Sequence, residues 1–197
     1  MFRFRRATKN ERASAMVEFA IVLPLLLLLF VGVTNFGLAF KKKLVVDNAV
    51  QTAARTGASI GKDPLADMAI LDSIQQGISS LPENLEAGPT VVRQVTIFKA
   101  NASGGVEGGL INTYTYNGGG GCSWTPCPTG PGLYGGSWDP TSRDVTIDDL
   151  DHLGITIYYG HDWLVEGFGV FSDLPCNSDG SECWTETAVM RLEPVEG

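Results

Sequence analysis

Histidine is scarce in this chain: 197 residues contain only His152 and His161, so imidazole-based acid–base catalysis or metal ligation has little to draw on. No H-E-x-x-H, G-x-S-x-G or phosphate-loop pattern occurs, and the sequence neighbours His161 and Asp162 do not make a dyad. We therefore expect no enzyme and no cofactor. Basic residues are few beyond Lys43, six Lys/Arg against twenty Asp/Glu, for a net charge of −14. Such a surface repels phosphate backbones, which excludes nucleic acid as a partner. Cysteine is missing before Cys122, and no charge occurs from Phe19 to Phe40.

What is present divides at about residue 43. Before it, Arg3, Arg5, Arg6, Lys9, Arg12 and Lys41–Lys43 stand against Glu11 and Glu18, a net charge of +6. The run Phe19–Phe40, FAIVLPLLLLLFVGVTNFGLAF, would extend about 33 Å as a helix, enough to span a bilayer. A cleaved secretory signal would have a shorter apolar core followed by small residues, whereas this run ends in three lysines. It reads as a retained transmembrane helix in contact with membrane lipid. Basic residues on both sides leave the orientation open. The four cysteines, Cys122, Cys127, Cys176 and Cys183, lie in Gly-, Pro- and Ser-rich sequence of the acidic part. They read as disulfides of an oxidising compartment, the local pairs Cys122–Cys127 and Cys176–Cys183 being favoured. A zinc thiolate cage is the rival, with spacings looser than a usual knuckle. Disulfides put the acidic part outside and the N-terminus in the cytoplasm.

Pro24 lies within the apolar run, where a kink rather than a break is expected. Glu18 lies at its edge, where a carboxylate costs about 2 kcal/mol or more unless paired.

The run Arg12-Ala13-Ser14-Ala15-Met16-Val17-Glu18-Phe19-Ala20-Ile21-Val22-Leu23-Pro24 resembles the start of TadE-like proteins, the pseudopilins of tight-adherence (Tad, or Flp-type) pili. Gly32, Asn35-Phe36-Gly37 and Thr52–Ala58 are similar to the family's later helix signature, and Thr187–Pro194 to its closing strand. The resemblance implies cleavage by a prepilin peptidase between Ala13 and Ser14, with Ala13 standing where the family usually has Gly. It also implies that Glu18 pairs with the new ammonium at Ser14 of a neighbouring subunit and sets axial register. Asn35 stands where relatives often carry an acid and is assigned no charge role. An interhelical hydrogen bond or a plain interface position are the readings left for it.

After the lysines, Val46, Ala49, Val50, Ala53 and Gly57 fall on one helical face, so the membrane helix is expected to run on to about Ile60, a rod of about 70 Å from Ser14. Asp63-Pro64 opens a second helix with the stripe Leu65, Met68, Leu71, Ile74 and Ile78 as core, ending near Ser80-Leu81-Pro82. Beyond Pro89 the period becomes two: Val91–Lys99, Ile155–Tyr159 and Thr185–Leu192 read as strands, Asn112–Tyr116 as a weaker one. Residues 117–143 are too rich in Gly and Pro for regular structure and read as a long loop. Its Trp124, Tyr134 and Trp138 are candidates for adhesive contacts or for packing onto the sheet. Asp144, Asp148, Asp149 and Asp151 with His152, and Asn177, Asp179 and Glu182, lack EF-hand spacing and read as solvated acidic loops with no metal.

The expected fold is α+β: a long N-terminal transmembrane helix continuing into a pilin-like exported domain with a second helix and a small, mainly antiparallel sheet. The divisions are 1–13, a basic cytoplasmic leader; 14–43, the transmembrane helix; and 44–197, the exported acidic domain. The function the resemblance implies is a minor pseudopilin in pilus assembly, initiation or the tip complex, mediating surface adhesion. Its partners would be other Tad pilins and pseudopilins, the inner-membrane assembly platform and the prepilin peptidase. It would sit in the inner membrane with its C-terminal domain periplasmic or extracellular. The alternative is a permanently anchored extracytoplasmic binding protein sharing the leader.

Overall fold

The structure, a computed structural model, describes residues 7–79, 92–117, 122–161, 176 and 182–194. The basic residues Arg3, Arg5 and Arg6, the helix end at Ser80-Leu81-Pro82, Val91, Asp162, Asn177 and Asp179 lie outside the described residues.

Helix α1 (Ala7–Ile60) is continuous for 54 residues, about 80 Å at 1.5 Å per residue. Pro24 lies inside it without interrupting it. It ends at Gly61, whose φ of 63° is left-handed and whose N–H donates to the carbonyl of Gly57, the usual stop for a helix. Helix α2 (Ala66–Ile78) has Leu65, not Asp63, at its N-cap and no side-chain cap; the Asp63 carboxylate accepts from Leu65 N at 2.7 Å in the turn just before it. It begins after Leu65, which is therefore exposed, while Met68 is only half-buried. The buried stripe is Ala66, Asp67, Ile70, Leu71, Ile74 and Ile78, so the expected one was rotated at its N-terminal end. The helix starts two residues later than Asp63-Pro64 suggested, and Ile70 and Asp67 take the inward positions.

Among the described residues, five antiparallel strands form one sheet in the order β3-β2-β1-β4-β5. They are β1 (Val92–Ala100), β2 (Val106–Tyr116), β3 (Trp124–Thr125), β4 (His152–Tyr159) and β5 (Trp184–Arg191). The class is α+β as the periodicity implied. β2 extends six residues further toward the N-terminus than Asn112–Tyr116. That half contains Gly108 and Gly109, both with positive φ, which hid its period. The stretch 117–143 is not wholly irregular: it contributes β3, and a 3-10 turn at Pro140–Ser142 capped by Asp139. Gly135 and Gly136 lie directly on the backbone of β2, Thr113 N donating to Gly135 O and Ser137 N to Ile111 O, each at 3.0 Å. A Cβ at either glycine would collide with that backbone.

One face of the sheet and the two helices enclose the core. Val95, Ile97, Tyr114, Leu153, Ile155, Ile157 and Tyr159 meet Val46, Ala49, Val50, Ala53 and Ala54 of α1 and Ile70, Leu71 and Ile74 of α2. Small residues let the helices approach: a Cβ on Gly77 would lie 2.8 Å from that of Ala49. Helix α1 lies along β5. Lys43 Nζ reaches Glu186 Oε1 at 3.0 Å, and Glu193 N donates to Ala58 O at 3.0 Å. Fifteen helical residues and seven extended ones both cover about 22 Å, so helix and strand run side by side in the same direction.

Candidate functional site

The surface that stands out is the first half of α1. Every residue from Ala13 to Phe30 is exposed, including Met16, Phe19, Ile21, Leu25–Leu29 and Phe30. Exposure of large apolar side chains all round a helix is incompatible with water as the surrounding medium. α1 is the one helix among the described residues long and apolar enough to cross a membrane. Ala13, Ser14 and Glu18 are all on this helix, Ser14 and Glu18 one turn apart with Ser14 Oγ donating to Glu18 Oε1 at 3.5 Å. That contact is long, and both residues are exposed, so the carboxylate is presented outward. Pro24 lies two turns further on, in unbroken helix.

Asn35 changes the picture of the helix. Only 2% exposed, it donates from Nδ2 to its own helix at Val31 O, 3.1 Å away. Ala39 and Lys42 are buried on the same side. Protein therefore covers one face of α1 from Asn35 onward, inside the apolar run.

The cysteines are joined as Cys122–Cys127 and Cys176–Cys183, Cα atoms 6.1 and 4.3 Å apart, with no free thiol among the described residues. The acidic cluster is less solvated than the sequence suggested. Asp151 is buried, pairs with Lys99 Nζ at 2.8 Å and accepts from Asp144 N at 2.8 Å. Asp144 is half-buried and accepts from both the hydroxyl and the N–H of Thr146. Those bonds hold its carboxyl below the usual range, and the Asp151 hydrogen bond holds the Lys99 ammonium above its own. Asp148, Asp149 and Glu182 are exposed as expected. Among the described residues no three His, Cys, Asp or Glu converge as metal ligands. His152 is exposed at the start of β4, and His161, just past its end, stacks on Trp184 with centroids 5.3 Å apart. Nine extended residues separate the two by about 30 Å.

Of the aromatic residues considered for adhesion, Trp124 is buried edge-on to Tyr116, and Trp138 is buried beneath the Arg143 guanidinium, 4.5 Å from the ring centroid. Both pack into the domain, because an indole gains more from burial than from water. Tyr134 is half-buried.

Sequence reasoning missed the polar centre that holds this loop. The Asp67 carboxylate, fully buried on α2, accepts from Asn112 Nδ2 at 2.8 Å and Tyr114 OH at 2.5 Å and pairs with Arg143. Asn112 in turn bonds both the N–H and the carbonyl of Trp138. Burial, reinforced by the Asp67 charge, pushes the Tyr114 phenol far above its ordinary value. The signal was an acid in phase with Ile70, Leu71, Ile74 and Ile78 on the apolar face of α2. Its partners, 45 to 76 residues away, left no local trace.

The chain matches no curated protein and no solved structure. A family model described as TadE-like protein matches residues 13–55. The match opens at Ala13, takes in Glu18 and the whole exposed apolar segment, and runs on to Arg55 in the part of the helix that packs on the sheet. Residues 13–55 of this chain are a TadE-like family domain.

Proposed function

We propose that the chain is a minor pseudopilin of a Tad/Flp-type pilus, a structural subunit of assembly, initiation or the tip complex that serves surface adhesion. TadE-like membership supports a Tad pilus-associated protein. The observation that carries the finer reading is the apolar rod Ala13–Phe30, exposed on every side and bearing a single carboxylate, Glu18. A simple anchor gains nothing from an acid at the edge of the span, where it costs about 2 kcal/mol or more unless paired. An assembly helix does, if a cation on an adjoining subunit neutralises it. Cleavage between Ala13 and Ser14 by a prepilin peptidase would create that cation as the Ser14 α-ammonium. In this reading residues 1–13 are the cytoplasmic leader, 14–43 the membrane segment and 44–197 the exported domain, first in the inner membrane and then among other pilins on the assembly platform.

The test is Glu18→Ala in the native host, with subunit incorporation and piliation measured. Loss of both is expected, and unchanged incorporation sinks the assembly role. Ala13 in place of the family's usual Gly favours a second reading, a permanently anchored binding protein that is never cut. Mass spectrometry of the mature N-terminus separates the two: a chain beginning at Ser14 supports the pseudopilin, an uncut one the anchor.

A further inference from the structure

The two sides of α1 lose contact with solvent-like surroundings at different heights. At about 100° per residue, Asn35, Ala39, Lys42 and Val46 form one narrow stripe, and all four are buried by the protein. On the opposite side Val33, Phe36, Phe40 and Leu44 form a ridge that stays 65%, 51%, 63% and 59% exposed. The ridge is continuous with the exposed apolar segment below it. It stops at Asp47 and Gln51, whose side chains bond each other at 3.1 Å. So the domain begins to wrap one side at Asn35, while the other stays apolar to Leu44, about 14 Å further along the axis. Lys41 and Lys43 flank the ridge on either side. Lys41 is exposed, and Lys43 remains half-exposed although it meets Glu186.

We propose that the ridge Phe36–Phe40–Leu44 is seated in the acyl-chain and headgroup boundary of the bilayer, so that the domain rests against the membrane surface and not on a stalk above it. The helix tilts with the ridge side deeper, within the tilts usual for membrane helices. Lys41 and Lys43 then lie level with lipid phosphates, the Lys41 stem along apolar surface and its ammonium group in the headgroups, while Lys43 keeps its pair with Glu186 at that level. Lipid is the occupant because the ridge prolongs the apolar segment without a break and is bordered by cations. The covered face bears the opposite arrangement, with its polar groups Asn35 and Lys42 enclosed by the protein itself.

This inference rests on the membrane reading of α1, and the experiment separates the two. Single cysteines replacing Leu26, Phe40, Leu44 and Gln51 in the full disulfide-bonded chain are labelled with an environment-sensitive fluorophore. The chain is reconstituted in phosphatidylcholine–phosphatidylglycerol vesicles carrying nitroxide lipids. All four side chains point away from the core, so folding is spared. Quenching at 26, 40 and 44, with Gln51 unquenched, is expected. Quenching at 26 alone overturns the seated domain and leaves the span intact. Phe40 and Leu44 labels shielded from lipid and cross-linking between copies overturn it in favour of a second chain as occupant. No quenching at Leu26 removes the span and this inference with it.

Discussion

The two halves of α1 belong to one uninterrupted helix yet obey different rules. From Ala13 to Phe30 the sequence is apolar all round and every side chain is exposed. From Val46 to Ala58 a stripe of Val and small residues is buried against α2 and the sheet, with polar residues outside it. Glycines on α1 before and within that buried stripe make the contrast concrete. A Cβ at Gly32 or Gly37 meets nothing within 4 Å, while one at Gly57 would lie 2.5 Å from Leu153 Cδ2 and 2.7 Å from Ile70 Cδ1. The same residue type is a mere weakness in helix propensity in one half and a packing necessity in the other.

The largest effect should come from the polar centre that anchors the buried half. Asp67→Ala leaves the Arg143 guanidinium buried without its counter-charge, a loss of about 3–5 kcal/mol in domain stability. Denaturant unfolding of the detergent-solubilised chain, followed by tryptophan fluorescence, would register it. A loss below about 1 kcal/mol would mean that the pair is dispensable. Adding Arg143→Met to Asp67→Leu should recover most of the deficit, because an apolar pair removes the stranded charge.

The glycine contrast is sharpened by paired variants. Gly57→Ala is expected to cost about 1–3 kcal/mol, since both Leu153 and Ile70 must shift within a filled core. Gly37→Ala should be neutral or gain up to about 1 kcal/mol from helix propensity. Equal effects in the same unfolding assay would erase the distinction between the halves.

Alkaline titration reads the core from inside. Burial, assisted by Asp67 and Glu186 respectively, raises the Tyr114 and Tyr159 phenols far above 10.0. A raised folded pKa means that the folded state keeps a proton the unfolded chain releases. The stability this gives is full below about pH 10 and falls as pH rises above it. Tyrosinate absorbance at 295 nm should therefore show two phenols that ionise only with unfolding. Their titration in the folded domain near pH 10 would contradict the burial.

The smallest effect belongs to Lys43→Ala. Its pair with Glu186 is half-exposed on the lysine side, so about 0–1 kcal/mol is expected, shrinking further in high salt.

Local pattern carried much of the fold. The charge-free run, the small-residue stripe of α1 and the period-two segments marked the helix and most strands. The motif around Glu18 pointed to the family whose model matches residues 13–55. Where local signals conflicted, legibility failed. Gly108 and Gly109 masked half of β2, and Leu65 looked inward because the start of α2 was misplaced by a few residues. The sequence leaves Trp124 and Trp138 open between adhesive contact and packing onto the sheet, because their loop is rich in glycine and proline; the structure buries both. The loop is held by Asn112 and, through Arg143, by Asp67, which no nearby pattern ties to it.

By itself the sequence determined what depends on neighbours a few residues apart: an apolar helix of membrane length, the carboxylate at its edge and an acidic α+β domain beyond it. Helical and strand periods and the absence of charge are properties of short stretches, and they survive without knowledge of the rest of the chain. Only the tertiary structure decided that Asp67, Asn112, Tyr114 and Arg143 share one buried site and that protein covers α1 from Asn35. Those facts turn on which distant surfaces meet. Burial of a polar group is tolerable only where its partners arrive from elsewhere in the chain, and their arrival is a property of the whole fold.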